Sequence, residues 1–284
     1  MSDRRVAPTD TTVPGPHGPV VIRIYHPESP SGAGIVWIHG GAFHSNDIDV
    51  PEANWVSQRF AEAGIAVVTV DYRLAKDGIH YPVPSDDCMA AWHWATERSE
   101  LGVAANGWHV GGGSAGGTLA ASVSMQARDG LARMPRSSVL VYPVLHSEIP
   151  APSAALAEKL RSLPEVQLGP EDDGEWINLN YVGDRALLTE PYAFPAHGRQ
   201  EGMPPTLIIN SDLDHLRASG EAYAAQLAAA GVDTVVIREV GSLHGHLNQP
   251  ESPEAHRTVR RMIEWLTPSE LVGEPHEPPL PPTL

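Results

Sequence analysis

Short runs of β-branched residues alternating with longer alanine-rich stretches recur along the chain, and no other feature restricts its fold as strongly. Runs such as Gly34–His39 and Ile65–Tyr72 are apolar almost throughout, as strands must be when helices cover both faces of their sheet. Strands are predicted at Val20–Tyr25, Gly34–His39, Ile65–Tyr72, Gly107–Gly111, Ser138–Val144, Thr206–Asn210 and Thr234–Val240. Helices are predicted at Asn54–Ala63, Asp86–Thr96, Ala115–Arg128, Gly220–Ala230 and Glu254–Leu266. This order implies an α/β fold on a doubly wound, mostly parallel sheet with right-handed crossovers. A chain of 284 residues suits one such domain.

Two stretches break the alternation. Residues 147–190 mix proline, glycine and acidic residues with a patchy helical pattern, and read as an insertion capping one end of the sheet. The tail, 268–284, is proline-rich and is expected to be extended or poorly ordered.

The formal charge of −16 disfavours nucleic acid and anionic membranes as partners and leaves a small molecule as the expected one. The oligomeric state is open, a homodimer included. MSDRRVAPTD lacks a signal-peptide core, and runs such as GIAVVTV (Gly64–Val70) are too short to span a bilayer. Cys88 is the single cysteine, so no internal disulfide calls for an oxidising compartment, and a cytoplasmic location is expected. Within a predicted helix, Cys88 reads as core, and Trp92-His93-Trp94 reads as helix packing.

The chemistry concentrates at WHVGGGSAGGTLAASV, where a strand, a glycine turn and a helix follow one another with Ser114 at the turn. Gly112-Gly113-Ser114-Ala115-Gly116 fits the G-x-S-x-G nucleophile elbow, whose sharp turn excludes bulky neighbours. Gly111, Gly113 and Gly116 also spell a dinucleotide fingerprint, but Asp129 precedes the next strand where that motif wants an acid after it. A phosphate loop would need a lysine after its last glycine, and none is present.

Upstream, a strand runs into His39-Gly40-Gly41-Ala42-Phe43, the glycine loop that aims backbone N–H groups at a developing oxyanion. Downstream, Asp212 and Asp214 follow one strand while His244 and His246 follow the next. Acids and bases are thus gathered at the carboxyl ends of strands, where open α/β sheets build their sites. His246 beside His244 suggests a metal, but neither a third ligand cluster nor HExxH accompanies them, so no metal and no cofactor is expected. His39 reads as a structural part of the glycine loop, and Asp71 with Arg73 as an ion pair bracing a turn.

Together HGGAF, DYRLA, YPVPSDDCMAAWHW, GGSAGG, EPYAFP, DHLRASGEAYAAQLAAAG and LHGH, in this order, resemble the hormone-sensitive-lipase-like family of bacterial esterases. The match runs from about Thr12 to Leu266. It implies the α/β-hydrolase fold and a triad of Ser114, His244 and Asp214, because only Asp214 keeps Leu216 and Arg217 in register with the family. Gly113, Ala42 and Ala218-Ser219 stand where the family usually has an acid, a third glycine and an acidic pair. Only about 20 residues precede the first predicted strand, so the family's N-terminal cap helices are expected to be largely missing.

The expected reaction is hydrolysis of small, short-acyl esters through an acyl-enzyme. Gly40, Gly41 and Ala115 are expected to hold the oxyanion, with Phe43 and His44 lining the pocket. The same groups would also cleave a carbamate, lactone or activated amide. A non-catalytic binding protein on this fold is the reading from another class, and it has no need of a base at His244.

Overall fold

In the computed structural model, which describes residues 8–161, 163 and 174–267, one eight-stranded sheet carries the structure. Its strands are β1 (Thr9–Val13), β2 (Val20–Tyr25), β3 (Gly34–Ile38), β4 (Ala66–Asp71), β5 (Trp108–Gly113), β6 (Ser138–Val141), β7 (Thr206–Leu213) and β8 (Thr234–Leu243). They lie in the order β1-β2-β4-β3-β5-β6-β7-β8. β2 runs antiparallel to β1 and β4, and every pairing from β4 to β8 is parallel.

The helices are α1 (Pro51–Glu62), α2 (Val83–Thr96), α3 (Ala115–Arg128), α4 (Ala154–Arg161), α5 (Gly174–Val182), α6 (Arg217–Ala229) and α7 (Pro253–Leu266). Successive strand residues feed opposite faces. Val36, Ile38, Val68, Leu140 and Ile208 join α2, α3 and α6 in one core, whereas Ile35, Trp37, Val67, Val139 and Leu207 join α1 and α7 in the other. Helices on both faces make the sheet doubly wound, as the alternation of the sequence implies.

Differences from the predicted elements have local causes. β1 is missed because TDTTV is polar and exposed at the sheet edge, with no apolar alternation to mark it. The sixth strand stops at Val141, because Tyr142 takes φ +39 and Pro143 has no N–H to give a ladder. α1 begins three residues before Asn54, at Pro51, whose fixed φ suits a first helical position. Arg73 does not pair with Asp71: its side chain reaches Asp87 Oδ1 at 2.5 Å, and its N–H donates to Asp87 Oδ2. Cys88 and Trp92 are buried in the core, as expected. The 268–284 tail lies outside the described residues.

Candidate active site

Ser114 sits between β5 and α3 with φ 53° and ψ −122°, a backbone region costing a non-glycine residue about 1–3 kcal/mol. The surrounding packing enforces it. Ser114 N–H donates to Val141 O at 2.9 Å. A Cβ on Gly116 would meet Ile38 O at 2.1 Å and His39 O at 2.5 Å, so only glycine lets α3 start this close beneath β3. The hydroxyl is thereby held at the carboxyl edge of the sheet, beside the positive end of a 14-residue helix.

Two more strand ends bring up the partners. Ser114 Oγ lies 3.0 Å from His244 Nε2, and His244 Nδ1 lies 2.7 Å from Asp214 Oδ2. Asp214 is buried, and its other oxygen accepts Leu216 N–H at 2.9 Å, which fixes the carboxylate. The imidazole is 40% exposed. Burial lowers the His244 pKa, but the charge and hydrogen bond of Asp214, with the charge of Glu52, outweigh it and hold the pKa above the ordinary imidazole value.

The neighbouring candidates have other duties. Asp212, within β7, takes Lys159 Nζ at 2.6 Å and Arg217 Nη1 at 3.2 Å, with Arg238 Nε at 3.5 Å. His246 uses both ring nitrogens internally, on Ser211 Oγ at 3.0 Å and Thr258 Oγ1 at 2.8 Å.

The loop after β3 corrects one expectation. Gly40 N–H points into the protein and donates to Glu52 Oε1 at 2.5 Å, so it is not free to meet an oxyanion. Gly41, Ala42 and Phe43 follow with φ of 127°, 51° and 64°. Among the described residues, no acceptor pairs with the N–H of Gly41, Ala42 or Ala115. His39 braces the loop as expected, its Nδ1 2.7 Å from Gly40 O and its ring stacked 4.4 Å from that of Tyr72. Glu52 escapes a sequence reading because an acid after a helix-opening proline looks like any first-turn acid.

Phe43 is corrected too. Its ring is fully buried, stacked 3.9 Å from Tyr181 and edge-on to Phe194, which makes it core packing behind the loop. His44 lies edge-on to Trp176, and its buried Nε2 has no hydrogen-bond partner among the described residues.

The segment between β6 and β7 binds the loops at several strand ends. Tyr181 stacks on Phe43, Asn180 Nδ2 donates to Ala75 O at 2.7 Å, and Lys159 reaches Asp212. α4 and α5 therefore lie across the carboxyl edge that carries Ser114.

A nucleophile at a strand-to-helix elbow, followed along the chain by an acid and a base on later strands, defines a hydrolase architecture. A family model described as alpha/beta hydrolase fold matches residues 35–248, and the chain belongs to that family. It is similar to the carboxylic ester hydrolase LipN of Mycobacterium tuberculosis, with 34% identity over 84% of this chain and 64% of LipN. The esterase LipI of the same organism is 32% identical, over 84% of this chain and 74% of its own. Among solved structures, a hyperthermophilic esterase from Pyrobaculum calidifontis superimposes with a TM-score of 0.80 at 31% identity, over 92% of this chain and 83% of its own.

Proposed function

We propose that the protein is a serine carboxylesterase with Ser114 as nucleophile, His244 as base and Asp214 as the orienting acid. The unbroken chain of contacts from Ser114 Oγ through His244 to Asp214, at 3.0 and 2.7 Å, carries this reading. His244 Nε2 takes the hydroxyl proton as Oγ attacks the ester carbonyl carbon. The imidazolium returns that proton to the departing alcohol, and water, deprotonated by the same nitrogen, then releases the acid from Ser114. Asp214 accepts from Nδ1–H and keeps Nε2 as the acceptor. The free N–H groups of Gly41, Ala42 and Ala115 receive the oxyanion.

The segment over the carboxyl edge serves as the cap, within a single domain. The short-acyl preference follows from the small size of the cap, which has few elements to enclose a long alkyl group. Small, uncharged esters suit a protein of this negative charge. A cytoplasmic location fits the single buried cysteine, and among the described residues no helix is long and apolar enough to cross a membrane. A homodimer is supported by the unpaired edge of β8, where Val235, Val236 and Val240 are exposed.

The test is labelling by a fluorophosphonate together with turnover of p-nitrophenyl esters. Acetate and butyrate should be cleaved faster than palmitate, and Ser114→Ala should lose both labelling and about six orders of magnitude in turnover. A Ser114→Ala variant that still turns over ester near the wild-type rate would refute the assignment.

A further inference from the structure

The residue before Ser114 has no side chain, and the space beside it is already filled. A Cβ on Gly113 would meet Glu52 Oε2 at 2.5 Å and Glu52 Cδ at 2.6 Å, and its third neighbour is also that carboxyl group. Glu52 comes from the first turn of α1 and is buried, with an exposure of 1%. Its oxygens each have a donor: Gly40 N–H for Oε1, and the Tyr142 hydroxyl for Oε2. Tyr142 in turn lays its ring edge-on to His244, 5.0 Å between centroids. Main-chain contacts anchor the residue further, since Glu52 O accepts Trp37 Nε1–H at 2.8 Å and Glu52 N–H donates to Asn248 Oδ1 at 3.1 Å.

Isolated buried carboxylates are expensive, so a carboxyl group in this position needs a reason. One carboxyl group touches the loop that carries the oxyanion donors, the backbone that presents the nucleophile, and the wall against the base. We propose that Glu52 is a positioning residue for the hydrolytic reaction, holding these three parts in register and supplying a negative charge behind the imidazole. This deepens the esterase reading above and rests on it.

Burial holds the Glu52 carboxyl above the ordinary carboxylate value, and the Tyr142 and Gly40 donors and the nearby His244 favour the anion and offset part of that push. The N-terminus of α1 also favours an anion in its first turn. His244 faces Asp214, Glu52, Tyr142 and His246, and of these Asp214 and Glu52 raise its pKa. Activity needs neutral His244, so it falls as the pH drops through that raised value. Removing the Glu52 charge lowers the pKa and moves the acid limb to lower pH.

The experiment measures fluorophosphonate labelling of Ser114 against pH, with kcat and KM on p-nitrophenyl acetate, in folded variants with native circular dichroism. Glu52→Gln keeps the shape and should move the acid limb down by about half a pH unit. Its kcat should drop about tenfold with KM nearly unchanged, because misplacing reacting groups slows chemistry more than binding. Gly113→Ala introduces no charge, and the three atoms nearest its methyl group all belong to the Glu52 carboxyl; it should lower kcat about tenfold or more through displacement of that group. Folded Glu52→Gln with the wild-type acid limb and kcat overturns the proposal, as does Gly113→Ala at the wild-type kcat. A wild-type protein that resists labelling overturns the esterase reading and this one together.

Discussion

Asp212 and Asp214 stand two positions apart on the same strand end, yet their surroundings give them different work. Asp214 faces His244, whereas Asp212 is neutralised by Lys159, Arg217 and Arg238. Asp214→Asn should therefore cut kcat by roughly four orders of magnitude, the loss in the chymotrypsin example, by favouring the wrong imidazole tautomer. Asp212→Asn should change kcat by less than about tenfold and lower the thermal midpoint, because it removes the buried carboxylate on which Lys159, Arg217 and Arg238 converge. Steady-state kinetics and thermal melts on the two purified variants check this, and the reverse ranking would transfer the triad role to Asp212. That Asp214 and not Asp212 lies against His244 agrees with the register that the family resemblance gives Leu216 and Arg217. The role of Gly40 was not legible. Its N–H turns to a carboxylate twelve residues away in another element, a contact that no local pattern encodes.

Elements were readable in proportion to how fully they are buried. β3 to β7 announce themselves because burial on both faces demands continuous apolar runs. The exposed edge strand β1 lacks that demand, and its polar residues conceal it. The elbow joining β5 to α3 was equally readable, since its glycines answer a close approach. At Gly116 the neighbours are the carbonyl oxygens of Ile38, the last residue of β3, and of His39 just beyond it, backbone atoms with little room to move. Gly116→Ala should accordingly force apart β3 and α3, lowering the thermal midpoint and abolishing turnover. A soluble Gly116→Ala variant with wild-type melting and activity would show the approach to be looser than the backbone implies. Helices in the segment between β6 and β7 were only partly legible, because they pack by single contacts such as buried Leu156 and Tyr181, not by a continuous stripe.

For the whole molecule, the open question of association turns on β8. This strand pairs with β7 on one side, and its other edge carries no strand among the described residues. For the homodimer proposed above, its backbone groups and exposed valines are the surface on which a second copy's β8 would extend the sheet. Sedimentation should find twice the 30.5 kDa chain mass, and Val236→Lys should return a monomer with its esterase activity intact. A wild-type monomer at micromolar concentration would remove the dimer from the reading. The same sheet order also sets a schedule. Ser114 and His244 are 130 residues apart along the chain and meet only after β6, β7 and β8 have been added to β5 in turn. As synthesis proceeds from the N-terminus, the elbow can form long before its base exists, and the entropy of closing so long a loop delays their meeting until the last strand docks. The proposed hydrolysis therefore cannot begin before β8 has docked against β7.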